Sequence, residues 1–196
     1  QAIEREHVEI TERDLEGSVP ELKLINRGKK KVLIVDGEEL VGAKQNRIVN
    51  ASFIISGQTE VVIPVSCVEQ GRWEYKSDKF EHGQKIMSAS IRRNHQEDVR
   101  SSLRAGRGYR SDQGRIWNNI QEKADRMEVN SPTAAMSDVY VSYDDKLDEF
   151  LQKFRLIELQ AGAVFAIGGQ VAGLECFGCH DSFKRFFGNS VVVRRQ

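Results

Sequence analysis

The chain has 196 residues, with 29 Lys and Arg balanced by 29 Asp and Glu, and 39% of its residues are hydrophobic. This length fits one domain, the composition excludes a disordered protein, and a neutral chain lacks the surplus of Lys and Arg that long nucleic acids require. No run approaches the roughly 20 apolar residues of a membrane span. Since three cysteines do not make a disulfide framework, we expect a cytoplasmic protein with no membrane partner.

The first part of the chain has β character. Residues 1–19 are acidic and end at a Gly-Ser-Val-Pro turn. Beyond that turn, alternating or β-branched segments separated by Asp36-Gly37 and Ser56-Gly57 predict an antiparallel unit of at least four strands. The predicted strand segments are 21–26, 32–35, 48–55 and 60–65.

The middle of the chain has helical character. Residues 84–103 contain neither Pro nor Gly, which favours a helix. Asp112 is a suitable N-cap for a second helix, and Ser131-Pro132 is typical of the start of a third. Residues 162–176 return to strand character around a Gly168-Gly169 turn, and a short helix follows.

These segments predict an α+β fold in a single domain spanning residues 1–196. The domain comprises an N-terminal antiparallel β-sheet unit and then a helical middle. A returning C-terminal β-hairpin with a short helix follows, and we expect the hairpin to join the sheet. The corresponding ranges are 17–75 for the β-rich half, 84–155 for the helical half and 162–187 for the hairpin and helix.

The densest polar stretch is residues 37–47, between two predicted strands. Glu38 or Glu39 can act as a general base if apolar surroundings raise its pKa. Cationic and amide side chains follow them and are typical of a phosphate or carboxylate site. The alternative is a solvated loop held by salt bridges. The ligand-binding candidates of this stretch are Lys44, Gln45, Asn46 and Arg47.

A second polar segment, residues 66–73, follows the predicted strand at 60–65. Cys67 is a candidate nucleophile if a nearby cation ionises it, and Glu69 is a candidate base. Trp73 can stack on a flat ring such as adenine. The alternative is that Cys67 is a small buried hydrophobe and Trp73 a core or rim residue. The ligand-binding candidates are Gln70, Arg72 and Trp73, together with Gln113 in the similar segment 112–117.

Two further motifs carry weaker signals. Residues 104–110 form a basic glycine-containing loop, but they lack the third glycine and the preceding strand of a dinucleotide-binding motif. Cys176, Cys179 and His180 have the C-x-x-C-H spacing of haem attachment or a redox pair, yet neither context is present, and a zinc site would need two more ligands. The residues therefore identify no cofactor.

The chain resembles a bacterial domain family named for its association with ADP-ribosylglycohydrolase and rhodanese-phosphatase proteins. The segments that carry the resemblance are 33–47, 63–73, 112–117 and 166–177, within a similarity over about residues 17–187. Membership implies a role in NAD or ADP-ribose metabolism, with no established reaction. The segments 38–47 and 67–73 coincide with the family's signature stretches, whereas the C-x-x-C-H motif is not part of the family pattern.

Three functional hypotheses follow. The first is binding or processing of an ADP-ribose-like metabolite, a small anionic nucleotide-like ligand. Trp73 would stack on the adenine, Lys44 and Arg72 would hold the pyrophosphate, and Glu38, Glu39 or Glu69 would act as a base or accept a ribose hydroxyl. The second is a non-catalytic interaction or oligomerisation module, for example a homodimer. The third is a metal-dependent hydrolase that uses Glu38, Glu39 and Glu69.

Overall fold

The N-terminal half of the chain forms a curled antiparallel sheet, in a computed structural model that describes residue 3 and residues 7–14 and 17–190. The sheet has six strands in the order β1-β2-β7-β5-β4-β8, and its two edge strands β1 and β8 are also in contact. A short strand pair, β3 with β6, lies beside it. The strands are β1 (Val8–Glu12), β2 (Glu21–Asn26), β3 (Val32–Ile34), β4 (Glu38–Gly42), β5 (Arg47–Val49), β6 (Phe53–Ile55), β7 (Thr59–Cys67) and β8 (Phe80–Ile86).

Helices follow the sheet, so the α+β prediction is confirmed. The helices are α1 (Ala89–Arg104), α2 (Gln113–Arg126), α3 (Met136–Val141), α4 (Asp144–Leu151) and α5 (His180–Ser190). Asp112 caps α2 as expected, because its side chain accepts a hydrogen bond of 3.0 Å from the Arg115 backbone N–H. None of the helices within the described part of the chain is long and apolar enough to cross a membrane.

The two faces of the sheet have separate apolar cores. Alternating residues such as Ile10, Leu24 and Val65 fill the inside of the curl. The opposite face contributes Ile48 and packs against α1, α2 and the start of α3. Since neighbouring residues of one strand point to opposite faces, the direction of each polar residue decides which core it enters.

Several sequence expectations differ from the structure at element boundaries. Residues 84–86 belong to strand β8, not to the first helix, because β8 pairs with β4 through Glu38 and Ile86. The segment 48–55 is two strands interrupted at 50–52. Ser131 does not begin a helix, since Ala134 has a φ of 51° and α3 starts only at Met136.

The C-terminal hairpin also departs from expectation. Strands β9 (Gly162–Ile167) and β10 (Gln170–Cys176) pair with each other, and within the described residues neither pairs with a strand of the six-stranded sheet. The hairpin is held through α1, where buried Arg92 binds both Asp36 oxygens at 2.8 and 3.0 Å and also Glu175 of β10. Several large apolar side chains of the hairpin remain exposed as a result: Val164, Phe165, Ile167, Val171 and Leu174.

Candidate functional site

The two polar segments singled out in the sequence meet at one end of the curled sheet. β5 pairs with β7 so that Arg47 lies opposite Cys67. The loop after β4 and the loop after β7 are joined by backbone hydrogen bonds from Val68 N to Asn46 O (3.0 Å) and from Glu74 N to Lys44 O (3.3 Å). We call this end the mouth of the sheet, defined by Lys44, Arg47, Trp73 and Tyr75.

Arg72 holds the two loops of the mouth together. Its guanidinium forms a salt bridge of 2.7 Å with Glu69 and a hydrogen bond of 3.1 Å to the side-chain oxygen of Asn46. The same guanidinium also donates to backbone carbonyls on both loops, namely those of Gly42, Ala43 and Glu74. Both terminal nitrogens of Arg72 therefore bind protein atoms, and these bonds give Arg72 a structural role.

Glu69 is fixed from several sides. Its carboxylate accepts hydrogen bonds from the Asn46 backbone N–H (3.1 Å) and the Thr133 hydroxyl (3.0 Å) as well as from Arg72. Burial alone would raise the pKa of Glu69, but the hydrogen bonds from Arg72, Asn46 and Thr133 outweigh it and lower that pKa below its ordinary value. An ionised, fully engaged carboxylate of this kind is poorly suited to accept a proton from a substrate near neutral pH.

The glutamines of the prediction have different roles. Gln45 donates to the Glu69 carbonyl at 3.0 Å and accepts from Arg47 at 2.9 Å. Gln113 accepts from the Cys67 N–H and donates to the Cys67 carbonyl, both at 2.8 Å, so its amide extends the hydrogen bonding at the end of β7. Gln70 is exposed. Gln45 and Gln113 thus support the mouth from within the protein.

The exposed surface of the mouth is aromatic and cationic. Trp73 and Tyr75 are each about half exposed, at 49% and 47%. The Lys44 ammonium lies 5.3 Å from the Trp73 ring centroid and 5.0 Å from that of Tyr75, within the range of cation–π attraction. Flat, accessible rings beside a cation are the arrangement that a ring-bearing anion needs.

Arg47 lies beneath this surface with no solvent exposure. Nη1 donates to Gln45, Nη2 is 3.9 Å from a Glu12 carboxylate oxygen, and the guanidinium carbon is 5.7 Å from the Trp73 ring centroid. Nε and Nη2 have no hydrogen-bond partner, and burial lowers the pKa of Arg47. Donors of a buried guanidinium that lack hydrogen bonds are costly, and the Glu12 carboxylate supplies the negative charge that faces Nη2.

Cys67 is fully buried opposite Arg47. Burial raises the pKa of its thiol, and Arg47 only partly offsets this effect. A reactive cysteine requires the reverse, a lowered pKa and access to a substrate. The structure therefore favours the small buried hydrophobe that the sequence left as an alternative.

The three candidate carboxylates have different surroundings. Glu38 and Glu39 are adjacent in β4 and face opposite sides of the sheet. One oxygen of Glu38 accepts from the Val35 N–H at 3.1 Å, and the other is 3.8 Å from His82 Nε2. Within the described ranges, no three His, Cys, Asp or Glu side chains form a metal-binding group.

Glu39 is the most unusual of the three. It has no solvent exposure, and neither carboxylate oxygen has a hydrogen-bond partner. A Cβ at Gly83 would stand 2.9 Å from one of these oxygens, so the neighbouring strand leaves room for Glu39 only because residue 83 is glycine. Burial, reinforced by Glu69 and Asp138 and opposed by Lys85, raises the pKa of Glu39 from 4.5 to about 8.

Sequence reasoning missed Tyr75 of the mouth itself. It also missed Glu12 in β1, which faces Arg47, and Thr133 before α3, which donates to Glu69. The alternation Val8, Ile10 and Glu12 is a strand signal that the acidic composition of residues 1–19 obscured. Thr133 is 64 residues from its partner Glu69, and no local signal indicates that contact.

A family model supplies the chain's identity. The model described as "ARG and Rhodanese-Phosphatase-superfamily-associated Protein domain" (ARPP-1) matches residues 1–192, and the chain belongs to this family. The match confirms the resemblance seen in the sequence and extends it towards both termini. No curated protein and no solved structure matches the chain significantly.

The raised pKa of Glu39 predicts a specific dependence of stability on pH. Between about pH 4.5 and pH 8 the unfolded chain releases this proton while the folded chain retains it. The free energy of unfolding therefore falls as pH rises through that window, by at most about 1.4 kcal/mol per pH unit. Glu39→Gln mimics the protonated form and should gain stability over the native protein steadily from pH 5 to pH 8, as measured by urea unfolding.

The control for this prediction is Glu81→Gln, which removes an exposed carboxylate from the neighbouring strand β8. Its free energy of unfolding should not rise relative to that of the native protein between pH 5 and pH 8. Parallel stability curves for Glu39→Gln and the native protein over pH 5–8 would show that Glu39 is already ionised in the folded state.

Proposed function

We propose that this domain binds a small anionic metabolite of the ADP-ribose or NAD-derived class at the mouth of the sheet. The observation that carries the proposal is the cation–π contact of the Lys44 ammonium with the half-exposed rings of Trp73 and Tyr75. The Arg47 guanidinium lies beneath the Trp73 ring, and its Nε and Nη2 form no hydrogen bond within the described part of the chain. Charge-assisted hydrogen bonds from a cation to phosphate oxygens are roughly twice as strong as those between neutral groups.

The aromatic side chains support a ligand with a flat ring. Trp73 and Tyr75 present accessible faces, on which an adenine stacks with a gain of about 1–3 kcal/mol per base. Lys44, which lies against both rings, supplies a positive charge at the surface where a phosphate would follow the base. Arg72 has no such role in this proposal, because its terminal nitrogens already bind Glu69, Asn46 and backbone carbonyls.

The proposal is for binding rather than turnover. Cys67 is buried as a thiol and Glu69 is held as an ion pair, so neither is prepared as a nucleophile or a base. Glu39 has the raised pKa of a general acid or base, but it has no solvent exposure. The family's association with ADP-ribosylglycohydrolases makes ADP-ribose the first ligand to test.

Tryptophan fluorescence and calorimetry test the proposal directly. The chain has two tryptophans, so a Trp117→Phe background leaves Trp73 as the only reporter. ADP-ribose should quench its emission, and Lys44→Gln should weaken binding by about tenfold through loss of a charged contact. Trp73→Leu, followed by calorimetry, should weaken binding by about tenfold or more through loss of stacking.

The matched control is Lys76→Gln, which changes an exposed lysine on the loop after β7 that carries Trp73 and should leave the affinity unchanged. The proposal fails if ADP-ribose, NAD and AMP all produce neither heat nor quenching up to about 1 mM, a limit that corresponds to about 4 kcal/mol of binding. It also fails if Lys44→Gln and Trp73→Leu bind these ligands as the native protein does.

The exposed hairpin favours a second function, self-association. Val164 and Leu174 are cross-strand partners, 63% and 64% exposed, on a two-stranded sheet whose outer edges pair with no other strand in the described chain. An isolated hairpin is only marginally stable in water, and a second copy of the chain would cover its apolar side chains.

Sedimentation analysis separates this function from ligand binding. The native protein should sediment as a dimer, and the pair Val164→Ser with Leu174→Ser should make it a monomer. The control pair Ile54→Ser with Val62→Ser removes similarly exposed apolar residues from β6 and β7 and should leave the dimer intact. A dimer with a Kd near 1 µM is largely formed at about 100 µM. A native protein that is still monomeric at that concentration would contradict self-association.

A further inference from the structure

A cavity lies at the opposite end of β1 from the mouth. It is lined by Val8, at the start of the strand, whereas Glu12 at the end of the strand belongs to the Arg47 site. With a rise of about 3.3 Å per residue, these two positions are about 13 Å apart. The cavity has a volume of about 290 Å³, and none of the residues that define the mouth lines it.

The walls of the cavity are mainly apolar. Val8, Ile34 and Leu40 line it from the inner face of the sheet and the neighbouring strand pair, and Phe186 lines it from α5. A dry cavity of about 150 Å³ accepts benzene, so a space about twice as large fits a ligand of roughly ten non-hydrogen atoms. The size and lining are those of a small-molecule site.

The charged groups of the cavity are arranged by depth. Lys31 and Arg185 line it and are exposed. Glu38 and His82 also line it, but their side chains are only 20% and 15% exposed. One Glu38 oxygen accepts from the Val35 N–H and the other lies 3.8 Å from His82 Nε2, so this carboxyl group is engaged in the deeper part of the cavity. The two exposed cations lie where they can attract an anionic group.

We propose that this cavity binds a small carboxylic acid, as its anion, with an aromatic or aliphatic body. The carboxylate lies towards Lys31 and Arg185, and the apolar body fills the space between Leu40 and Phe186. This site is independent of the proposed nucleotide site, because no residue of the mouth lines it. Its ligand gains affinity from burial of the body and from charge-assisted hydrogen bonds at the exposed end.

Calorimetry with a matched set of probes tests the ligand class. Phenylacetate, 2-phenylethanol and phenethylamine share a body of similar size and carry a negative, a neutral and a positive head. Phenylacetate should bind with a Kd below about 1 mM and at least about tenfold more tightly than either comparator. No binding of phenylacetate, or equal binding of the three probes, overturns the proposal.

Two pairs of variants locate the site. Lys31→Gln with Arg185→Gln should weaken phenylacetate binding by at least about tenfold, whereas the exposed neighbours changed in Lys30→Gln with Lys184→Gln should have no effect. Ser182→Trp places a large ring at a lining position of α5 and should abolish binding, whereas Lys184→Trp on the same helix should not. Retained binding in either test variant overturns the proposal.

A final comparison keeps the two proposed sites distinguishable. Lys44→Gln should leave phenylacetate binding unchanged, and Ser182→Trp should leave ADP-ribose binding unchanged. Loss of phenylacetate binding in Lys44→Gln would place the acid at the mouth and overturn the assignment to this cavity.

Discussion

The hydrogen bonds of the Arg72 guanidinium determine how the mouth of the sheet is built. Arg72 binds the loop after β4 through Gly42, Ala43 and Asn46, and it binds its own loop through Glu69 and Glu74. A planar cation with several donors suits this task, since it satisfies carbonyls and a carboxylate in fixed directions at once. Glu69 also accepts a hydrogen bond from Thr133, which precedes α3. The Glu69–Arg72 pair therefore links the sheet to the helical half of the chain.

Arg72 and Glu69 form an ion pair with each other. The remaining polar groups of the two loops fall into two sets. Gln45, Asn46 and Gln113 complete the hydrogen bonding of nearby protein groups. Lys44 and Arg47 instead lie against the Trp73 ring, and Nε and Nη2 of Arg47 form no hydrogen bond within the described residues. The candidate ligand contacts are therefore fewer than the polar residues of the two signature segments.

Much of the fold follows from local patterns. Alternation and turn residues predict β2, β3 and β7, and Asp112 predicts the start of α2, because those signals act within a few residues. β8 is less visible, since it contains a glycine and charged residues and is stabilised by pairing with β4. The free edges of the hairpin are not predictable either, because the Arg92 contacts to Asp36 and Glu175 that hold it span distant segments.

The sequence singles out the two polar segments, but it predicts neither how they meet nor the surroundings of the residues within them. Glu38, Glu39 and Glu69 are the same residue type and look alike in the sequence. In the structure Glu38 lines a cavity, Glu39 is buried without a hydrogen-bond partner, and Glu69 is ion-paired with Arg72. Such differences depend on which face of a strand a residue occupies and on contacts tens of residues away. Burial and pairing, rather than residue type, separate structural groups from groups available to a ligand.

The central claim is that Glu69 and Arg72 form a structural pair, and a double-mutant cycle measures this directly. Urea unfolding of the native protein, Glu69→Gln, Arg72→Gln and the double variant gives the coupling energy. A partly buried, well-connected pair predicts a coupling of at least about 2 kcal/mol. A coupling within about 0.5 kcal/mol, as expected for the exposed Glu122–Arg126 pair, would contradict the account.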